Sequence, residues 1–494
     1  MYFIGTRGGE RVTGAQAVIR GMAEGGGLYV PEEFPIFSRE ELDEMLGMDY
    51  AERLAVVLGK FFDDYPRDGL LNAAKEVCEQ FESEDPVPLV KIEEGLYVLE
   101  LFHGPTCGHT DLGVYLLPYL IKQGREMTGV KGDILLLTAT SGDSGKSVME
   151  AFRDQKGIRA VVVYPDEGVS KMQKLQLTTQ DGNNLLSIGV KGNFDECQST
   201  VKKILRQPEK RDKLEEKVIL STASSINVGQ LLPRVAAYVS AYLDLVSSEQ
   251  INAGDAVDFS VPAGNLGGLL AAFYAKKMGI PVGKIVAAGN RNNSLGDFFA
   301  KGVFDRKKTF MRTMSPSLDV LNASNLERLI FELSSRDSEL TIERMKSAAS
   351  TGKYALRAEE LKILQANFFG GNASEEETVE CVYEFFEEFN YPLDTHTAVT
   401  VHAARLYKHS LEDGDENRPM VVVASDSPYK FPQAVYYALT GNDVKDSFKG
   451  LKRIHLITAM KIPEALKAIR YKPLRFKTTV SCSQMFAEVM KFLG

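Results

Sequence analysis

The hydrophobic rhythm of the chain changes near residue 85. Before that point, stretches 15–24, 38–46, 50–62 and 69–81 carry apolar residues three and four positions apart, which places one apolar stripe on a helix. Gly25-Gly-Gly27, Pro31 and Pro35 punctuate them, and Glu82-Ser-Glu-Asp-Pro-Val-Pro88 forms a charged, proline-broken connector. The pattern predicts a small helical domain over 1–82 and a larger region over 88–494.

In the larger region, short runs of branched residues at 134–137, 160–164, 185–190, 257–261, 285–288 and 420–424 do not alternate with polar ones. Amphipathic segments follow, starting at Gly145, Ser170, Asp195, Leu266 and Tyr429. Strands apolar on both sides and joined by helices predict an α/β fold with a parallel sheet covered on both faces. Such sheets hold ligands at the carboxyl ends of their strands, where loops run into helix N-termini. No internal repeat or low-complexity tract interrupts the pattern.

Three strand-to-helix turns carry candidate chemistry. Leu137-Thr-Ala-Thr-Ser-Gly-Asp-Ser-Gly-Lys-Ser147 is rich in glycine and small hydroxyl residues, the composition of an anion cradle at a helix start. It is not a Walker A loop, because Thr140 stands where that motif needs its first glycine. Its Gly-Asp-Ser-Gly matches a serine-protease nucleophile loop only in letters, since that loop belongs to an all-β context. Val261-Pro-Ala-Gly-Asn-Leu-Gly-Gly268 offers three glycines around one asparagine, suited to close approach of a phosphate, but lacks the dinucleotide spacing. Val423-Ala-Ser-Asp-Ser-Pro-Tyr-Lys-Phe431 places hydroxyls at a strand end, where a helix cap is the plain reading.

Composition narrows the function classes. The 494 residues are 44% hydrophobic and 25% charged, which excludes disordered and fibrous classes. A net charge of −9 lacks the basic footprint of a nucleic-acid binder. No apolar run approaches the roughly 18 residues of a membrane span, and no secretory pattern is visible at the start. Five cysteines without a Cys-x-x-Cys pair predict reduced thiols, with no disulfide framework and no metal site. These features predict a cytoplasmic globular protein with neither nucleic-acid nor membrane partners.

Taken together, the turns resemble threonine synthase, a pyridoxal-phosphate enzyme of the tryptophan-synthase-β type. Thr6-Arg-Gly-Gly-Glu10 and Gly26-Gly-Leu-Tyr-Val-Pro31 are similar to that family's N-terminal signature, and Leu99-Glu-Leu-Phe-His-Gly-Pro-Thr106 to the approach to its cofactor site. Ser141-Gly-Asp-Ser-Gly145, Gly168-Val-Ser-Lys-Met-Gln-Lys-Leu-Gln176, Gly189-Val-Lys-Gly-Asn-Phe194, Gly264-Asn-Leu-Gly267, Arg312-Thr-Met-Ser-Pro-Ser317 and Ser427-Pro-Tyr-Lys-Phe-Pro432 follow in the family's order. The resemblance implies a two-lobed fold type II architecture preceded by the small helical domain. It implies pyridoxal 5′-phosphate as cofactor and a small phosphorylated amino acid as substrate, with O-phospho-L-homoserine and water giving L-threonine and phosphate, the last step of threonine biosynthesis. By the same resemblance, Gly264, Asn265, Leu266 and Gly267 hold the cofactor phosphate, Ser425 meets the pyridine nitrogen, and Ser141, Gly142, Asp143, Ser144 and Gly145 face the substrate.

One departure bears on activity. The family's run after His-Gly-Pro-Thr contains a Phe-Lys-Asp whose lysine carries the cofactor as a Schiff base. Here the run is Cys107-Gly-His-Thr-Asp-Leu112: Asp111 aligns with the aspartate and Thr110 stands at the lysine position. A threonine hydroxyl cannot form that linkage, so covalent attachment is not expected. The alternative to an active lyase is a catalytically degenerate homologue that binds pyridoxal phosphate or a phospho-amino acid non-covalently in a regulatory or scaffolding role. A nucleotide hydrolase of P-loop type is disfavoured by Thr140. His103 and His109 are expected to pack or face solvent, Lys146 to meet a substrate phosphate, and Lys171, Lys174 and Lys191 to face solvent. Ser224 and Ser425 stand where the family has asparagine and threonine, the latter change keeping the hydroxyl. If only the amine has been lost, Thr110→Lys restores attachment readily and phosphate release only weakly, the release improving with Gly108→Ala and His109→Phe.

Overall fold

The computed structural model describes residues 1–411 and 418–494. All six anticipated strands form, and they divide between two sheets. A five-stranded parallel sheet runs in the order Thr479–Ser481, Leu185–Lys191, Ile158–Pro165, Ile134–Ala139, Ile219–Ser221. A six-stranded sheet runs in the order Phe368–Asn372, Val282–Gly289, Val257–Pro262, Met420–Ala424, Leu96–Glu100, Leu89–Glu93. Only its last pair is antiparallel.

The faces of the six-stranded sheet follow strand parity. Val421 and Val423 join one apolar cluster with Val257, Phe259 and Ile285, while Val98, Val286 and Val422 join a second with Phe385 and Val399. The second cluster is the seam against the helices Glu375–Phe389, Thr395–His409 and Pro432–Thr440. Every branched run is therefore buried on both sides, which is why none of them alternates.

The first eighty residues contain the expected helices as Gly14–Arg20, Arg39–Met45, Tyr50–Phe61 and Arg67–Cys78. Reciprocal caps start three of them: Thr13 with Gln16, Ser38 with Glu41, Asp49 with Glu52. The region also holds an antiparallel sheet of Tyr2–Gly5, Val12–Thr13 and Tyr29–Pro31, too short to leave a periodic signal. It packs on the larger region through the first apolar cluster and through charge. Arg7 makes a two-pronged pair with Glu327 (2.8 and 2.7 Å), to which Thr6 Oγ1 also donates (2.7 Å). Among the described residues, no helix is long and apolar enough to cross a membrane.

Candidate functional site

A cleft opens at the carboxyl ends of the parallel strands, between the two sheets. Ser141, Asp143 and Ser144 reach it from the Ile134–Ala139 strand, Gly264 and Asn265 from Val257–Pro262, and Ser425 and Asp426 from Met420–Ala424. His109, Thr110, Arg234, Ser317 and His396 complete the polar lining, and among the described residues no lysine lines it.

Residues 107–109 lie against 425–427. The Ser427 amide donates to the Cys107 carbonyl (3.1 Å) and the His109 amide to the Ser425 carbonyl (2.7 Å). The chain then enters a helical turn at Thr110 (φ −68°, ψ −22°). In this turn His109 and Thr110 both line the cleft, correcting the expectation that His109 packs or faces solvent: the pairing of residues 107–109 with 425–427 holds it at the cleft. His109 Nδ1 faces the Ser425 carbonyl at 3.3 Å, which only a protonated Nδ1 can satisfy, so the neutral ring keeps its lone pair on Nε2. Burial, with the Arg234 charge, pushes the imidazole down to about 3.

Thr110 is fully engaged. Its Oγ1 lies 2.6 Å from Ser147 Oγ, which itself donates to Asp111 Oδ1 (2.6 Å). Asp111 also receives Thr106 Oγ1 (2.6 Å) and the Thr106 amide (2.8 Å). Burial raises the Asp111 carboxyl, and the donated hydrogen bonds from Ser147 and Thr106 oppose it.

In the loop after Ile134–Ala139, Thr140 Oγ1 accepts from the amides of Gly142 (3.0 Å) and Gly145 (2.9 Å). These two donors are therefore not an open anion cradle. Gly142 sits at φ +129° against Gln173, and a Cβ on Gly145 would come within 2.6 Å of Thr140 and Val162. Of the five expected substrate-facing residues, Ser141, Asp143 and Ser144 line the cleft, and the two glycines serve packing. Lys146 pairs with Glu150 (2.7 Å) and Gln180 outside the cleft, correcting its expected meeting with a phosphate. Lys171 and Lys191 are exposed.

Asp143 and Asp426 share Lys430, an ammonium 1% exposed, with Asp426 Oδ1 at 2.6 Å. Burial alone would lower Lys430, but the two carboxylates outweigh it and hold the ammonium protonated. Burial and the Asp143 charge together push Asp426 up to about 6. A Cβ on Gly108 would meet Lys430 Nζ at 2.7 Å and Asp426 Oδ1 at 2.9 Å, so the ion cluster fills the space a side chain there would need.

The glycine turn ends on Leu266 in the left-handed region (φ +63°), starting the helix Gly267–Lys277 with no side-chain cap. A Cβ on Gly264 would strike the Ser317 carbonyl at 2.5 Å. Asn265 Oδ1 accepts from the Gly267 amide (2.9 Å). Gly264 and Asn265 line the cleft, whereas Leu266 and Gly267 shape the turn behind them. Arg234, 4% exposed, faces this turn with Nε and Nη1 lacking a hydrogen-bond partner. Ser425 Oγ donates to Asp426 (2.8 Å) and lies on the lining. His396 accepts from the Ser317 amide at Nε2 (3.0 Å), with Nδ1 at Asp394 (2.9 Å). Asp394, His396 and Asp426 have ligand atoms within 4.8 Å of one another, but Asp394 already caps the helix Thr395–His409.

Residues 2–78 match the family model "Threonine synthase N terminus", residues 81–359 "Pyridoxal-phosphate dependent enzyme", and residues 397–483 "Threonine synthase, C-terminal". The chain belongs to the threonine synthase family. It is 32% identical to the threonine synthase of Pseudomonas aeruginosa, over 89% of this chain and 91% of that one. It is 34% identical to human threonine synthase-like 1, over 88% of this chain but only 59% of the human protein, so it spans well under two thirds of that relative. The solved structure of "PLP bound Threonine synthase from Brucella melitensis" superposes with a TM-score of 0.84 at 29% identity, covering 100% of this chain and 99% of that one. The yeast enzyme gives 0.85 at 26%, over 99% and 98%. Pyridoxal phosphate is the cofactor of this family. The cleft fits it in kind: a glycine turn closed to side chains, a helix start at which Leu266 makes no side-chain cap, and a buried guanidinium without a partner among the described residues. Sequence reasoning passed over Arg234, whose signal is a lone charge in the apolar run Leu231-Leu-Pro-Arg-Val-Ala-Ala-Tyr238, and His396, which carries none.

Proposed function

We propose that this threonine synthase family member binds pyridoxal 5′-phosphate non-covalently in the cleft and acts as a ligand-binding homologue in a regulatory or scaffolding role, not as an efficient converter of O-phospho-L-homoserine. The observation that carries this reading is Thr110. It occupies the lysine position with its hydroxyl tied to Ser147, and no described residue lining the cleft is a lysine. The nearby amine, Lys430, is held protonated between two carboxylates and is not nucleophilic.

When bound, pyridoxal phosphate supplies an electron sink for chemistry at an amino acid's α-carbon. The chain's own residues support the binding half of that task. The turn through Gly264, Asn265, Leu266 and Gly267 receives the phosphate, and Ser425 presents a neutral hydroxyl to the ring. Ser141 and Ser144 face the space left for a phosphorylated amino acid. The proton-moving half is weak. A positioned acid or base supplies about 10²–10⁴ in rate, and its pKa should lie near the working pH. His109 offers Nε2 but is held near 3.

Adding pyridoxal phosphate to the purified chain, then assaying threonine and phosphate release from O-phospho-L-homoserine, separates the two roles. Saturable binding with negligible release is the expected result. Brisk release by the wild type overturns the reading.

A further inference from the structure

Arg234 ends the short helical turn Leu232–Arg234 and opens the long helix Val235–Ser247, in a segment otherwise apolar. Its guanidinium is buried, yet Nε and Nη1 have no hydrogen-bond partner among the described residues. A buried cation without a partner is costly, and side chains of this kind are normally paired or hydrogen-bonded. What it faces is specific. An ideal Cβ on Gly267 would stand 3.0 Å from Arg234 Nη1, so the guanidinium lies on the cleft lining beside the glycine turn and the start of Gly267–Lys277. Among the described residues the cleft supplies no free counter-charge: Tyr238 packs beside the turn, His109 is neutral, and the carboxylates that line the cleft, Asp143 and Asp426, are committed to Lys430.

We propose that Arg234 is the charged half of a phosphate-monoester site. Its free guanidinium N–H groups pair with the dianion seated at the Gly264–Gly268 turn and so provide the anchorage that a covalent tether no longer gives. This rests on the ligand-binding reading above and extends it to a residue that supplies affinity. Arg is suited to the task because its planar fork meets two phosphate oxygens at once. A helix N-terminus and turn amides add partial charges, but only Arg234 brings a full one.

The test uses the full chain as wild type, Arg234→Gln, Arg234→Lys and Arg234→Met. Thermal shift with inorganic phosphate is the first arm. Titrations with pyridoxal 5′-phosphate, pyridoxal and O-phospho-L-homoserine are the second. Phosphate is expected to raise the melting temperature of wild type but not of Arg234→Gln. Pyridoxal phosphate affinity should fall at least tenfold in Arg234→Gln and recover in part in Arg234→Lys, while pyridoxal, which lacks the anion, binds all forms alike. Ligand-free Arg234→Met should melt no lower than wild type. If the Arg234 dependence appears with phosphate and phosphohomoserine but not with pyridoxal phosphate, the cofactor reading fails and the role of Arg234 stands. Equal responses of wild type and Arg234→Gln, a wild type that binds none of the phosphates, or loss of fold in both neutral variants each overturn the proposal.

Discussion

Thr110, Ser147 and Asp111 form one hydroxyl-to-carboxylate chain, and a lysine at position 110 has to leave it. Thr110→Lys is still expected to restore covalent attachment of pyridoxal phosphate, since position 110 lines the same cleft as Gly264, Asn265 and Ser425. Borohydride reduction and peptide mapping check this, the label falling on the 110 peptide. Phosphate release should stay weak. The companion change Gly108→Ala, attractive from sequence, is disfavoured by the Cβ position 2.7 Å from Lys430 Nζ. It is expected to destabilise the protein by about 1–3 kcal/mol, measured by denaturant unfolding, because the buried ion cluster of Lys430 and Asp426 has to shift to admit the methyl group. His109 gives a pH signature. Its folded value near 3 lies below the ordinary 6.5, so the unfolded chain binds the extra proton first. The stability His109 contributes is complete above pH 6.5 and is lost as pH falls toward 3. His109→Gln should therefore flatten the fall in melting temperature across that window.

The turn Val261-Pro-Ala-Gly-Asn-Leu-Gly-Gly268 concentrates the element-scale constraints. Leu266 accepts a left-handed conformation so that the helix can begin at Gly267, and the glycines keep the turn free of side chains. Gly267→Val should lower pyridoxal phosphate affinity at least tenfold with the melting temperature little changed, because its branched side chain intrudes on both Asn265 Oδ1 and Arg234 Nη1 at about 3.0 Å. Equal affinities by titration would mean that the turn is only structural. Elements of this kind were legible from sequence because each buried strand run ends in glycine or hydroxyl residues before a helix. The short strands Tyr2–Gly5, Tyr29–Pro31 and Ile219–Ser221 were not, since three or four residues carry no period. Phe368–Asn372 hid behind its two glycines. The loop 137–147 offers fewer open donors than its composition suggests for a local reason: Thr140 occupies the amides of Gly142 and Gly145, a use of a hydroxyl that composition cannot distinguish from an empty cradle.

Across the whole molecule the cleft walls are held together by the same charges that rule out a free amine. Lys430, from the six-stranded side, reaches Asp143 on the five-stranded side and Asp426 on its own. Ser317 also donates to Asp143, and Ser170 donates to the Lys430 carbonyl (2.8 Å). Lys430→Met leaves two buried carboxylates facing each other and should cost about 3–5 kcal/mol in equilibrium unfolding. Sequence alone placed Lys430 in a family motif without revealing this bridge, because its partners lie 287 and 4 residues away. The chain has a threonine synthase fold with an open cleft, and a threonine stands at position 110. The most direct test of non-covalent binding is borohydride reduction of the wild-type protein saturated with pyridoxal phosphate, followed by peptide mapping. Saturable binding, full release of the cofactor on denaturation, and no stoichiometric label on any cleft peptide are expected. A stoichiometric pyridoxyl group on Lys430, Lys146 or any other single lysine would contradict non-covalent binding.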